Sequence, residues 1–156
     1  MIIEDKLMRY VLYKKRTENE IRQKCISMNY EEYYIEEVIE YLKEAEYIDD
    51  RKYIEKYMEE IKKLKHLSIA QIRNDLIKKG VDSYLIDLVI EDESIEEFEY
   101  ASAEYLANKK FNLGEDVEKI KRYLLNKGYS YSNVSKAIDN LENIEDNWIM
   151  LDIQRR

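Results

Sequence analysis

Apolar residues recur three and four positions apart along almost the whole chain. Ile35, Val38, Ile39 and Leu42 form one stripe, Ile69, Ile72, Leu76 and Ile77 a second, and Ile120, Tyr123, Leu124 and Leu125 a third. A period near 3.6 puts each set on one face of a helix, whereas strands need a period of two. Side chains able to accept orphan backbone N–H bonds stand where stripes begin: Thr17-x-x-Glu20, Ser68-x-x-Gln71 and Ser94-x-x-Glu97 each fit a capping box. Gly80, Gly114 and Gly128 stand where stripes end, as residues that close a helix in the left-handed conformation do. The marks predict helices over roughly 4–15, 17–28, 31–45, 50–64, 68–79, 82–91, 95–110, 116–127 and 131–140, with 141–156 a short helix or a loose tail.

The stripes are copies of one another. Sliding the segment at Thr17 by 51 positions onto Ser68 sets Ile21 on Ile72, Arg22 on Arg73, Cys25 on Leu76, Ile26 on Ile77, Ile35 on Ile86, Val38 on Val89 and Ile39 on Ile90. A further 48 positions add Ile120, Lys121, Leu124, Leu125, Val134, Ala137 and Ile138 to the same columns. Asn29, Gly80 and Gly128 coincide as well, and they are among the residues that best tolerate positive φ. The expected fold is therefore all-α, an elongated array of three tandem three-helix repeats at 1–48, 49–93 and 94–140, followed by 141–156. Each unit has too little interior to stand alone and leans on its neighbours.

Ile48-Asp49-Asp50-Arg51-Lys52-Tyr53, followed by the run from Ile72 to Val81 (IRNDLIKKGV), resembles the middle repeat of the RecX family, bacterial regulators of the RecA recombinase. Thr17 to Lys24 is similar to that family's opening helix pair. Tyr105 to Phe111 (YLANKKF) and Leu124 to Tyr131 (LLNKGYSY) are similar to its closing signature. The resemblance covers about residues 5–140, in order. It implies a protein without a catalytic site that binds the RecA nucleoprotein filament in its groove and limits strand exchange, ATP hydrolysis and coprotease action; single- or double-stranded DNA is expected to be a weak partner at most, and no cofactor is expected. In this chain Glu59 and Glu60 interrupt the basic run of the middle repeat, and Lys65-His66-Leu67 stand where glycines are often found in the family.

Composition narrows the alternatives. With no proline and three glycines, the chain lacks the turn formers an all-β fold needs at its corners. Cys25 is the sole cysteine, so no internal disulfide forms, and no Cys/His cluster exists for zinc. Acids at Glu4 and Asp5 and the lack of an apolar stretch exclude a secretory signal at the start, and no run is long enough to span a membrane. A cytoplasmic location is expected. No glycine-rich phosphate loop can be drawn from three scattered glycines.

The net charge of −8 is unevenly spread: residues 51–80 hold 9 bases against 4 acids, while 1–50 hold 8 against 13. Lys62, Lys63, Lys65, Arg73, Lys78 and Lys79 form the candidate surface for DNA or the filament, since lysine and arginine beside phosphates release condensed counterions. Lys62 and Lys65 share a helix face, but Lys78 and Lys79 stand about 140° and 120° around the helix from Arg73, so one stripe is not implied. Of fifteen tyrosines, Tyr10, Tyr13, Tyr53 and Tyr57 are the candidate partner contacts; the majority, including the paired columns Tyr30/Tyr129 and Tyr33/Tyr84, are expected to pack partly buried. Cys25 shares its column with Leu76 and Leu124 and reads as a small core residue. His66 has no nucleophile or acid at a catalytic spacing, and Glu36 and Glu40 lack the histidine of a di-metal helix site. A helical-repeat adaptor with no link to DNA is the alternative function; a hydrolase is remote.

Overall fold

The structure is a computed structural model; it describes residues 1–92 and 94–155, and the side chains of these except 144–149 and 155. Among the described residues it has nine α-helices and no strand: α1 Asp5–Tyr13, α2 Glu18–Ser27, α3 Glu32–Glu44, α4 Asp50–Leu64, α5 Ile69–Lys78, α6 Ser83–Asp92, α7 Ile95–Asn112, α8 Val117–Asn126 and α9 Tyr131–Arg155. The all-α expectation holds, and most predicted ends fall within two residues. The stretch after 140 is neither a loose tail nor a separate helix. Between Tyr131 and Arg155 the sequence offers no Gly or Pro to stop the helix, and α9 runs on. The side chain of Trp148 and all of Arg156 lie outside the described residues.

By compactness the chain divides into two units, Met1–Glu59 with Arg73–Asp92, and Glu60–Ile72 with the described residues from 94 onward. This division crosses the repeat boundaries read from the sequence. The first unit is built around Leu7, Val11, Ile21, Cys25, Ile35, Val38, Ile39, Leu42 and Ile48. In the second, Ala103, Ala107, Ile120, Leu124, Tyr129, Val134, Ala137, Ile138 and Leu141 are buried together. Cys25 is buried, and that burial pushes its thiol pKa up, away from the reactive thiolate.

The repeated columns make repeated bonds. Asn29, Gly80 and Gly128 have φ of 61°, 83° and 89°. The next residue's N–H reaches back each time to a carbonyl in the last helical turn: Tyr30 to Cys25, Val81 to Leu76 and Tyr129 to Leu124. This is one helix-closing turn built three times. Thr17 accepts from the Glu20 N–H at 3.0 Å and Ser68 from the Gln71 N–H at 3.1 Å, while Glu20 and Gln71 accept from the cap N–H groups in return. The third expected box is not formed. Ser94 has ψ of 55° where Thr17 has 159°, and its hydroxyl makes no capping bond.

Two carboxylates finish three helix starts. Asp50 accepts from the Glu18 N–H at 2.9 Å in the first unit. In the second, Glu99 accepts from the N–H groups of Ile69 (2.8 Å) and Ser130 (2.9 Å) and from Asn133 Nδ2 (2.9 Å). Glu99 is only 1% exposed. A carboxylate survives such burial only when donors surround it.

Candidate functional site

The six candidate bases divide between the units. Lys62 and Lys63 close α4, Lys65 follows it, and all three are exposed in the second unit. They line a hollow of about 190 Å³ together with Leu64, His66, Phe98, Ala101 and Ser102. The His66 ring lies flat on Tyr105, centroids 3.8 Å apart and planes 12° from parallel. Ser102 is 1% exposed, and its hydroxyl has no hydrogen-bond partner among the described residues.

Arg73, Lys78 and Lys79 belong to the first unit. The Arg73 guanidinium is held by Asp87 at 2.9 Å, which raises the arginine's pKa and lowers that of Asp87 through the shared hydrogen bond. The same pairing, fourteen residues apart, joins Arg22 to Glu36, so both arginines of this column are matched by acids. A matched arginine offers less positive field to a phosphate than a solvated one. Glu36, one of the acids weighed as metal ligands, is likewise held below its usual pKa by the hydrogen bond from Arg22. Lys78 is exposed; Lys79 Nζ lies 6.0 Å from the centroid of the Tyr53 ring.

The candidate tyrosines differ sharply. Tyr13 is 82% exposed. Tyr10 is half-buried beneath the Arg16 guanidinium, 3.8 Å from its ring centroid. Tyr53 is half-buried, and the Tyr57 hydroxyl donates to Asp75 at 3.0 Å, with burial and that acid pushing its pKa up. Tyr129 is buried and Tyr30 half-buried, as their shared column predicts. Tyr33 and Tyr84 are not: at 66% and 72% exposure they are among the most solvated rings of the chain. Each stands two residues before a buried isoleucine, Ile35 or Ile86, about 200° around the helix, so its ring faces water. Repetition marks equivalent positions, not buried ones. Ile26, Ile77 and Leu125 make the same point, each exposed one residue after a buried Cys25, Leu76 or Leu124.

Sequence reasoning missed the His66–Tyr105 stack and the three-bond socket of Glu99. Both join residues thirty or more positions apart. The lysine run beside a lone His66 was visible; its ring partner was not. Among the described residues no group of three or more His, Cys, Asp and Glu is arranged to hold a metal ion, and no helix is long and apolar enough to cross a membrane.

No family model matches the chain. Curated relatives do. The chain is 36% identical over 132 residues to Regulatory protein RecX of Clostridium acetobutylicum, covering 79% of this chain and 61% of that protein. It is 30% identical over 139 residues to Regulatory protein RecX of Staphylococcus carnosus, covering 86% of this chain and 52% of the relative. The chain thus spans between half and two thirds of these relatives' length. Its fold is similar to the crystal structure of RecX from Lactobacillus salivarius, with a TM-score of 0.80, 27% identity, and coverage of 88% of this chain and 93% of that one.

Proposed function

Because the chain belongs to the RecX family of regulatory proteins, we propose that it regulates the RecA recombinase by binding its nucleoprotein filament. It restrains strand exchange, ATP hydrolysis and coprotease action by contact, without a reaction of its own, and works in the cytoplasm. Family membership carries this reading. The exposed lysines at the end of α4 support it, because a filament presents phosphates as well as protein. Lys62, Lys63 and Lys65 supply the leading cationic contact of the second unit; on the first unit Lys78 and Lys79 are the candidate bases, and Arg73 contributes least because Asp87 already holds it. Tyr13, 82% exposed, is the best placed of the candidate tyrosines to meet a partner, its ring giving contact area at small entropic cost.

The test is the rate of RecA-driven ATP hydrolysis on single-stranded DNA with substoichiometric amounts of this chain added. The reading expects the rate to fall. A rate unchanged at equimolar protein contradicts it.

A further inference from the structure

The hollow at the end of α4 combines features that the filament reading does not require. Three lysines border it, an exposed pair of stacked rings stands at its edge, Phe98 is half-buried in its wall and the unpaired hydroxyl of Ser102 lies in its lining. At about 190 Å³ it is smaller than the roughly 300–1,000 Å³ of pockets for drug-sized ligands, so it admits one planar ring and not a whole cofactor. We infer that this hollow seats one nucleotide of a single-stranded nucleic acid, its base against the His66–Tyr105 stack and its phosphate against Lys62, Lys63 and Lys65.

The chemistry favours this ligand over an acidic peptide. Carboxylates would engage the lysines but leave the ring faces bare, whereas every base has a π-face, and stacking it on an aromatic side chain raises affinity about five- to hundredfold. His66 and Tyr105, already parallel, present rings that need no ordering to receive a third. A buried hydroxyl without a partner is rare and costly. A base edge carries both donors and acceptors and can satisfy it. Duplex DNA keeps its bases stacked inside, so the platform selects single strands. The inference goes beyond the filament reading: it shares Lys62, Lys63 and Lys65 with it, but the His66–Tyr105 platform belongs to the inference alone and needs no recombinase to act.

The experiment is fluorescence anisotropy of the full chain at low salt against three probes: an oligothymidylate of about ten nucleotides, an abasic strand of equal length and charge, and a duplex. Wild type is expected to bind the oligothymidylate about tenfold more tightly than the abasic strand. His66→Ala and Tyr105→Ala should each remove most of that preference without weakening abasic binding, and Tyr105→Phe should keep it. Lys62→Glu with Lys65→Glu should weaken both single strands alike. Circular dichroism reports folding, and His66→Trp, which restores a ring, should keep the preference even if the alanine variant proves unstable. Equal binding to thymidylate and abasic strands, no binding to either, tighter binding to the duplex than to the oligothymidylate, or a preference untouched by His66→Ala and Tyr105→Ala would each overturn the inference. None of these results alters the effect on RecA-driven ATP hydrolysis, so the two readings fail separately.

Discussion

Thr17 Oγ1 donates a 2.9 Å hydrogen bond to the carbonyl oxygen of Lys79, sixty-two residues away, while accepting the Glu20 N–H at its own helix start. Ser68 does the same in the second unit, donating to the Lys127 carbonyl at 2.7 Å while accepting from Gln71. One hydroxyl thus caps one helix and ties it to the closing turn of another, and the device is made twice. Thr17→Ala and Ser68→Ala should each cost about 2 kcal/mol in urea unfolding, the sum of a lost cap and a lost buried bond. Thr17→Ser should cost much less. Alanine variants as stable as wild type would remove these joints from the account.

The glycines that close α5 and α8 are tight for a second reason. A Cβ on Gly80 would collide with the Asn19 side chain and one on Gly128 would come within 2.8 Å of Ala70, whereas one on Gly114 would meet nothing within 4 Å. All three have φ between 83° and 89°. Gly114→Ala should therefore cost only the left-handed strain, about 1–2 kcal/mol. Gly80→Ala and Gly128→Ala should cost more, because a neighbour must move as well. Thermal denaturation of the three variants side by side gives the comparison; equal losses would mean that the close approach does not matter.

Asp50 gives a pH dependence. Burial, its largest influence, holds its pKa above the ordinary aspartate range despite the hydrogen bond from the Glu18 N–H. The folded state therefore holds this proton more tightly than the unfolded chain does. The stability contributed is complete below the unfolded carboxylate pKa, about 3.9, and is lost as pH rises through the raised folded value. Asp50→Asn keeps an acceptor oxygen and never ionises. Relative to wild type it should gain stability between about pH 3 and pH 7. Urea unfolding at both ends of that range checks this, and a relative loss would reverse the assignment.

Charge reversal tests the basic segment. Lys62→Glu, Lys63→Glu and Lys65→Glu together should weaken filament binding and flatten its salt dependence, while Arg73→Gln, at a position already held by Asp87, should change it far less. Affinities measured across a salt series decide it. An unchanged slope in the triple variant would show these lysines to be a solvated face.

Much of the fold was legible because each helix carries its own punctuation. Period, cap residues and left-handed closers are local signals, and repetition supplied the equivalence of Ile21, Ile72 and Ile120, all fully buried. What stayed hidden was non-local or rotational. Nothing local in the sequence shows that Thr17 reaches Lys79, that Glu99 gathers donors from Ile69, Ser130 and Asn133, or that His66 lies on Tyr105. Ser94 looked like Thr17 by spacing, yet its backbone takes another conformation. The candidate bases were found as a run, but the sequence could not show that Asp87 holds Arg73.

The most direct measurement is the binding of this chain to a RecA filament preassembled on single-stranded DNA, followed by surface plasmon resonance beside the same DNA without recombinase. The account predicts saturable binding to the filament, tighter than to the naked strand. Binding no tighter than to DNA alone, or none, would contradict it.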